Sequence, residues 1–165
     1  MNPTISTGRT QPKLIKTILT TGLLAGTLDI TAASIQTLIY GRDPVRMYKF
    51  IASGVFGAEA LAGGAFFAVC GFIFHYCIAT GWVAFFFWLY PRVKFLSANR
   101  IVAGFAYGGF VWFMMNRVVL PLSNTPPIPF KVVPSLIGLS ILIVAIGLPT
   151  SFLAARFFRD QLNRT

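Results

Sequence analysis

The stretch LIKTILTTGLLAGTLDITAASIQTLIY, residues 14–40, decides the fold class. It exceeds the about 20 mostly apolar residues that a helix needs to cross a bilayer. It also carries one carboxylate, Asp29, near its middle. Three more apolar stretches of spanning length follow, at about 62–90, 101–120 and 132–158. All four are too long and too uniformly apolar for barrel strands, which alternate with a period of two over about 10 residues. With 56% hydrophobic and 11% charged residues, the chain lies far from soluble domains, which carry about 25% charged residues. The expected fold is all-α: a polytopic membrane protein with four transmembrane helices in one domain over 14–160, preceded by a polar tail over 1–13.

Net charge is +10, but the basic residues are scattered at the ends of the spans and do not form one nucleic-acid surface. Arg9, Lys13 and Lys16, then Arg92, Lys94 and Arg100, then Arg156, Arg159 and Arg164 outnumber Arg42, Arg46, Lys49, Arg117 and Lys131 on the opposite side. The positive-inside rule therefore predicts both termini in the cytoplasm. Anionic lipid head groups become partners on that face, worth about 1 kcal/mol for each Lys or Arg near the surface. Lys13 and Lys16 ahead of an apolar run reaching Ala32-Ala33-Ser34 also fit a signal peptide. The run continues to Tyr40, which favours a retained span. Cys70 and Cys77, two helical turns apart, are too distant for a disulfide, and no Cys or His spacing suits a metal.

Gly41-Arg42-Asp43-Pro44 reads as a helix stop followed by a new start, with Asp43 as N-cap and Pro44 in the first turn. A short helix over about 44–56 follows. Met47, Phe50, Ile51 and Val55 share one face and Arg46 and Lys49 another, which predicts an interfacial element, with a re-entrant one as the alternative. Trp88, Tyr90 and Pro91-Arg92-Val93-Lys94 form an aromatic and basic turn typical of the cytoplasmic side. Pro121-Leu-Ser-Asn-Thr-Pro-Pro-Ile-Pro129 forms a stiff outer loop. Gly22 and Gly26 in the first span, and Gly104 and Gly108 in the third, repeat the Gly-x-x-x-Gly spacing that allows close helix packing, within the bundle or between copies. Pro149 in the fourth span predicts a kink.

Asp29 and His75 carry the candidate chemistry. Each lies about 13–15 residues into its span, hence near the midplane at 1.5 Å per residue. Ionisable groups at that depth are expensive and mark pathways or buried pairs. One reading is a proton-responsive pair in a transport path, since imidazole changes charge near neutral pH. The plainer reading is an interhelical hydrogen bond, worth about 0.6 kcal/mol in membrane proteins. A third reading makes His75 an axial ligand of haem or chlorophyll, with Met114 or Met115 as the second; otherwise no cofactor is expected. Towards the outer face, Glu59 and Arg117 are placed to pair, or Arg117 extends to the head groups. Asn116 is placed for an interhelical hydrogen bond. No nucleophile, phosphate loop or carboxylate pair is arranged for catalysis, so no enzyme is expected.

Phe74-His75-Tyr76, the run Phe85-Phe-Phe-Trp-Leu-Tyr-Pro-Arg-Val-Lys94, Ile101-Val-Ala-Gly104 and Pro121-Leu-Ser-Asn-Thr-Pro-Pro127 together resemble the YagU-type family of small bacterial inner-membrane proteins. The resemblance implies a bacterial cytoplasmic membrane and a four-helix fold, and supplies no activity. The first functional expectation is a non-enzymatic protein that acts through helix packing, as a homo-oligomer or as an accessory subunit of a larger membrane complex. The second is a small proton-linked transporter or channel using Asp29 and His75.

Overall fold

The computed structural model describes residues 10–127, 129 and 131–163; most of the polar tail expected over 1–13 lies outside them. These described residues form helices and contain no strand. In order they are α1 (Thr10–Ile39), α2 (Pro44–Phe56), α3 (Ala58–Ala62), α4 (Ala65–Leu89), α5 (Lys94–Ala98), α6 (Arg100–Leu122) and α7 (Val132–Leu162). The long helices α1, α4, α6 and α7 are each apolar enough to cross a membrane. Large apolar side chains such as Leu23, Ile35, Phe66, Ile73, Phe105, Phe113 and Val144 face outward. A surface of this kind suits lipid, since soluble monomers rarely expose such continuous apolar area.

Local sequence explains the corners. The α1 terminus closes with Gly41 N–H donating to Leu38 O and Arg42 N–H to Thr37 O, while Gly41 adopts φ 66°. This is a Schellman ending, and glycine takes its left-handed position without Cβ strain. Asp43 then accepts from Val45 N–H at 2.9 Å, capping α2 with Pro44 in its first turn. Gly63 and Gly64 interrupt the chain before α4, which therefore starts at Ala65 and not at 62. Lys49 Nζ reaches back to donate to Gly63 O at 2.5 Å. At the far corner, Arg92 stacks on the Trp88 ring at 4.4 Å and Asn99 caps α6.

The glycine faces are covered inside the chain. On Gly22 a Cβ would lie 2.5 Å from Thr80 Oγ1, and on Gly26 3.0 Å from Tyr76 Cδ1, so the first glycine stripe seats α4 on α1. Gly108 lies against Ile143, and a Cβ on Gly147 would overlap the Gly104 carbonyl oxygen. The second stripe therefore seats α7 on α6.

Two widened turns adjust these helices. Met115–Val119 and Ile143–Gly147 are π-helical, with Leu120 N–H donating to Met115 O and Leu148 N–H to Ile143 O. Each is followed by Leu-Pro, at 120–121 and 148–149. A proline ring clashes with the carbonyl four residues back; the extra residue in the turn moves that carbonyl aside and keeps the helix continuous. Pro149 thus acts through a π turn, and α6 runs through Pro121 to Leu122 where the sequence placed the start of a loop.

The bundle is packed in one half and hollow in the other. At the end carrying Arg92, Val83, Phe86, Phe87, Tyr90, Ala103, Tyr107, Ile146 and Ala154 interlock. Phe86 and Tyr107 meet at 4.6 Å between ring centres, and Tyr107 donates to Trp82 O. The same half holds Thr21 and Thr150, whose buried hydroxyls have no partner among the described residues. An unmet buried hydroxyl is costly. Thr150→Val is therefore expected to raise unfolding free energy by about 1 kcal/mol in detergent titrations. An equal or lower value would reveal a partner, such as a buried water.

Candidate functional site

The site forms where the packed half meets the hollow half. Gly22, Gly26 and Asp29 recur at helical spacing, so one face of α1 presents two bare positions followed by a carboxylate. The ring of Tyr76 lies on Gly26, and its hydroxyl meets Thr27 Oγ1 at 3.0 Å. Thr27 already donates its single proton to Leu23 O at 2.7 Å, so the tyrosine is the donor. This lock brings the neighbouring His75 against α1. Its Nε2 lies 2.9 Å from Gly26 O and 3.8 Å from Asp29 Oδ2.

That geometry assigns the histidine protons. A carbonyl oxygen can only accept, so Nε2 carries a proton in both charge states, and a second proton enters at Nδ1. The Asp29 contact is longer than a hydrogen bond, and it is an ion pair only when the imidazole is charged. Both side chains are largely shielded, at 13% exposure for His75 and 15% for Asp29. The nitrogen that an iron or magnesium would take faces Gly26 O, and Met115 Sδ accepts from Trp82 Nε1 at 3.4 Å. Axial ligation through Nε2 and Met115 would have to break both contacts.

Above the pair opens a cavity of about 640 Å³, reaching the end of the bundle that carries Arg42. All four long helices line it: Ala33, Gln36 and Thr37 from α1; Ile78, Ala79 and Trp82 from α4; Val111, Trp112, Met115 and Asn116 from α6; Ser135, Gly138, Leu142 and Ile146 from α7, with Tyr40 from the turn after α1. Arg42, Pro129 and Lys131 stand at its mouth. The Trp112 indole nitrogen lies in ordinary contact range of Gly138. A second hollow of about 540 Å³ adjoins it through Trp112, Asn116, Pro129 and Ser135 and includes Arg117.

Of the remaining sequence-derived candidates, Asn116 lines the cavity, Arg117 lines the adjoining hollow, and Glu59 lies in neither. Glu59 is exposed on α3 and belongs to neither ion pair given by the described residues, His75–Asp29 and Arg156–Asp160. Asn116 Nδ2 donates to Trp112 O on its own helix, where the sequence suggested a bond to another helix. The amide turns to the backbone one turn back, as polar side chains in apolar helices commonly do. Sequence reasoning missed Gln36, Trp112 and Ser135 as wall residues. It also treated Arg42 and Lys131 only as topology signals. Gln36 and Ser135, polar side chains at span depth, were the available clue.

No protein-family model matches the chain, and neither a curated protein nor a solved structure is recognisably similar to it.

Proposed function

We propose that the protein is a small proton-linked transporter or channel of a bacterial cytoplasmic membrane, with both termini cytoplasmic and Asp29 and His75 as its proton-responsive pair. The observation that carries this is one-sided access: a cavity about 640 Å³ in volume ends at the pair, and packed aromatic side chains close the other side. A carrier caught open to one face needs this arrangement, with its ionisable groups at the floor of the open half and a sealed half beyond. By the basic-residue bias, the open end is the outer one. Among the described residues no second carboxylate lines the cavity with Asp29, and the role read here is binding and translocation of a solute.

The competing reading, an oligomer or accessory subunit built on small-residue faces, has less support. Gly22, Gly26, Gly104 and Gly108 are covered by α4 and α7 of the same chain.

Charge displacement on a solid-supported membrane tests the proposal without knowledge of the solute. A pH jump from about 8 to about 6, across the range in which imidazoles titrate, is expected to give a transient current in proteoliposomes. Asp29→Asn and His75→Ala should each remove it. A wild-type signal equal to that of empty liposomes, or an undiminished current in Asp29→Asn, overturns the proposal.

A further inference from the structure

We propose that the cavity takes an organic monoanion, an anionic group on an apolar body, and binds it together with one proton on the Asp29–His75 pair. This deepens the transporter reading and rests on it.

The first ground is the distribution of charge. Arg42 and Lys131 flank the mouth, and Asp29, at the floor, is the acidic residue among the cavity's lining residues. A cleft with low-dielectric walls focuses the field of its charges, so this entrance concentrates anions and repels cations. The second ground is a set of unused donors. The Gln36 amide, the Trp112 indole N–H and the Ser135 hydroxyl line the cavity, and none is given a hydrogen-bond acceptor among the described residues. Between them Trp82, Trp112, Ile78, Met115 and Leu142 form apolar wall. Apolar walls with a few convergent polar groups, in this volume range, suit a small organic molecule.

Charge counting then couples the anion to a proton. With the carboxylate ionised and the imidazole neutral, the floor carries one negative charge and opposes an entering anion. One proton at Nδ1 brings the pair to zero net charge, and the site then admits the anion without a change in total charge. The other titratable or charged groups facing the pair are few. Tyr40 and Arg42 lie in the turn after α1, Tyr76 is edge-on beside His75, and Lys131 precedes α7. The cavity-lining residues of α6 and α7 add none. Anion affinity is therefore expected to rise as pH falls.

The chain's three tryptophans provide the test. Trp88 lies at the Arg92 end, outside the cavity, so in a Trp88→Phe background the emission comes from Trp82 and Trp112. In neutral phosphatidylcholine nanodiscs, iodide is expected to quench the full-length protein about threefold more steeply than caesium, with the excess growing at lower pH. Arg42→Gln combined with Lys131→Gln should equalise the two slopes. Benzoate, supplied from water, or laurate, supplied from the bilayer, should protect against iodide, and whichever protects identifies the source of the ligand. Quenching by caesium equal to or above that by iodide overturns the anionic class, and protection by neither carboxylate overturns the organic ligand. Iodide selectivity without a pH-jump current would sustain the anion site and sink the transporter reading.

Discussion

Gly71→Leu is expected to leave little folded protein. A Cβ on Gly71 would overlap the carbonyl oxygen of Tyr48, with the backbone of Ala52 beside it. Here α2 rests directly on α4 through main-chain atoms. The contacts do not advance along α4 as α2 proceeds. Tyr48 meets Phe72, Ala52 meets Gly71, and Phe56 meets both Phe67 and Phe74. The two helices therefore cross, and one added side chain at the crossing point pries them apart along their length. Tyr48 also reaches Ser34 at 2.9 Å, so α1 loses its tie to α2 as well. Overpacking a flexible core costs about 1–3 kcal/mol. Backbone cannot rotate aside as a side chain can, so about 3 kcal/mol or more is expected. Size-exclusion chromatography after mild detergent extraction should show aggregated or absent protein. A monodisperse Gly71→Leu with unchanged melting behaviour would mean that α2 does not seat on α4.

His75→Ala should cost more stability than Asp29→Asn, although both are expected to remove the pH-jump current. Among the described residues the Asp29 carboxylate accepts no hydrogen bond, and His75 at 3.8 Å is its charge partner. Removing the imidazole strands the carboxylate, whereas Asn at position 29 leaves His75 its bond to Gly26 O. Breaking a fully buried pair costs about 3–5 kcal/mol. Both partners here retain some exposure to the cavity, so about 2 kcal/mol is expected for His75→Ala under conditions in which the imidazole is charged. In the double variant the stranded charge is gone, and most of that loss should be recovered while the current stays absent. Equal destabilisation in all three variants would make the pair a packing contact and not a charge-bearing site. Comparing stability with current thus separates a structural role from a translocating one.

Much of this molecule was legible from its residues. Four apolar runs of spanning length, the Gly41 stop and the Asp43 cap all follow from local chemistry, because each depends on a few neighbouring residues. Asp29 and His75 stood out because polar groups in apolar runs are rare. The fates of Gly22, Gly26, Gly104 and Gly108 were not legible, since Gly-x-x-x-Gly marks a face that accepts a helix without saying whose helix it is. The π turns left a fainter trace: Leu-Pro occurs twice at span depth, but the number of residues needed to clear a proline ring depends on what the widened turn packs against.

The sequence by itself determined the helical class, the number of apolar spans, and the depth of Asp29 and His75, because these are distances along one axis at 1.5 Å per residue. The tertiary structure decided that the two residues face each other and that one half of the bundle is hollow. It also placed Arg42 and Lys131 over that hollow. Those features depend on how each helix is rotated and crossed. Rotation and crossing are set by the shape of side chains such as Gly26 against Tyr76, about 50 residues apart in the chain and in contact only once the helices pack.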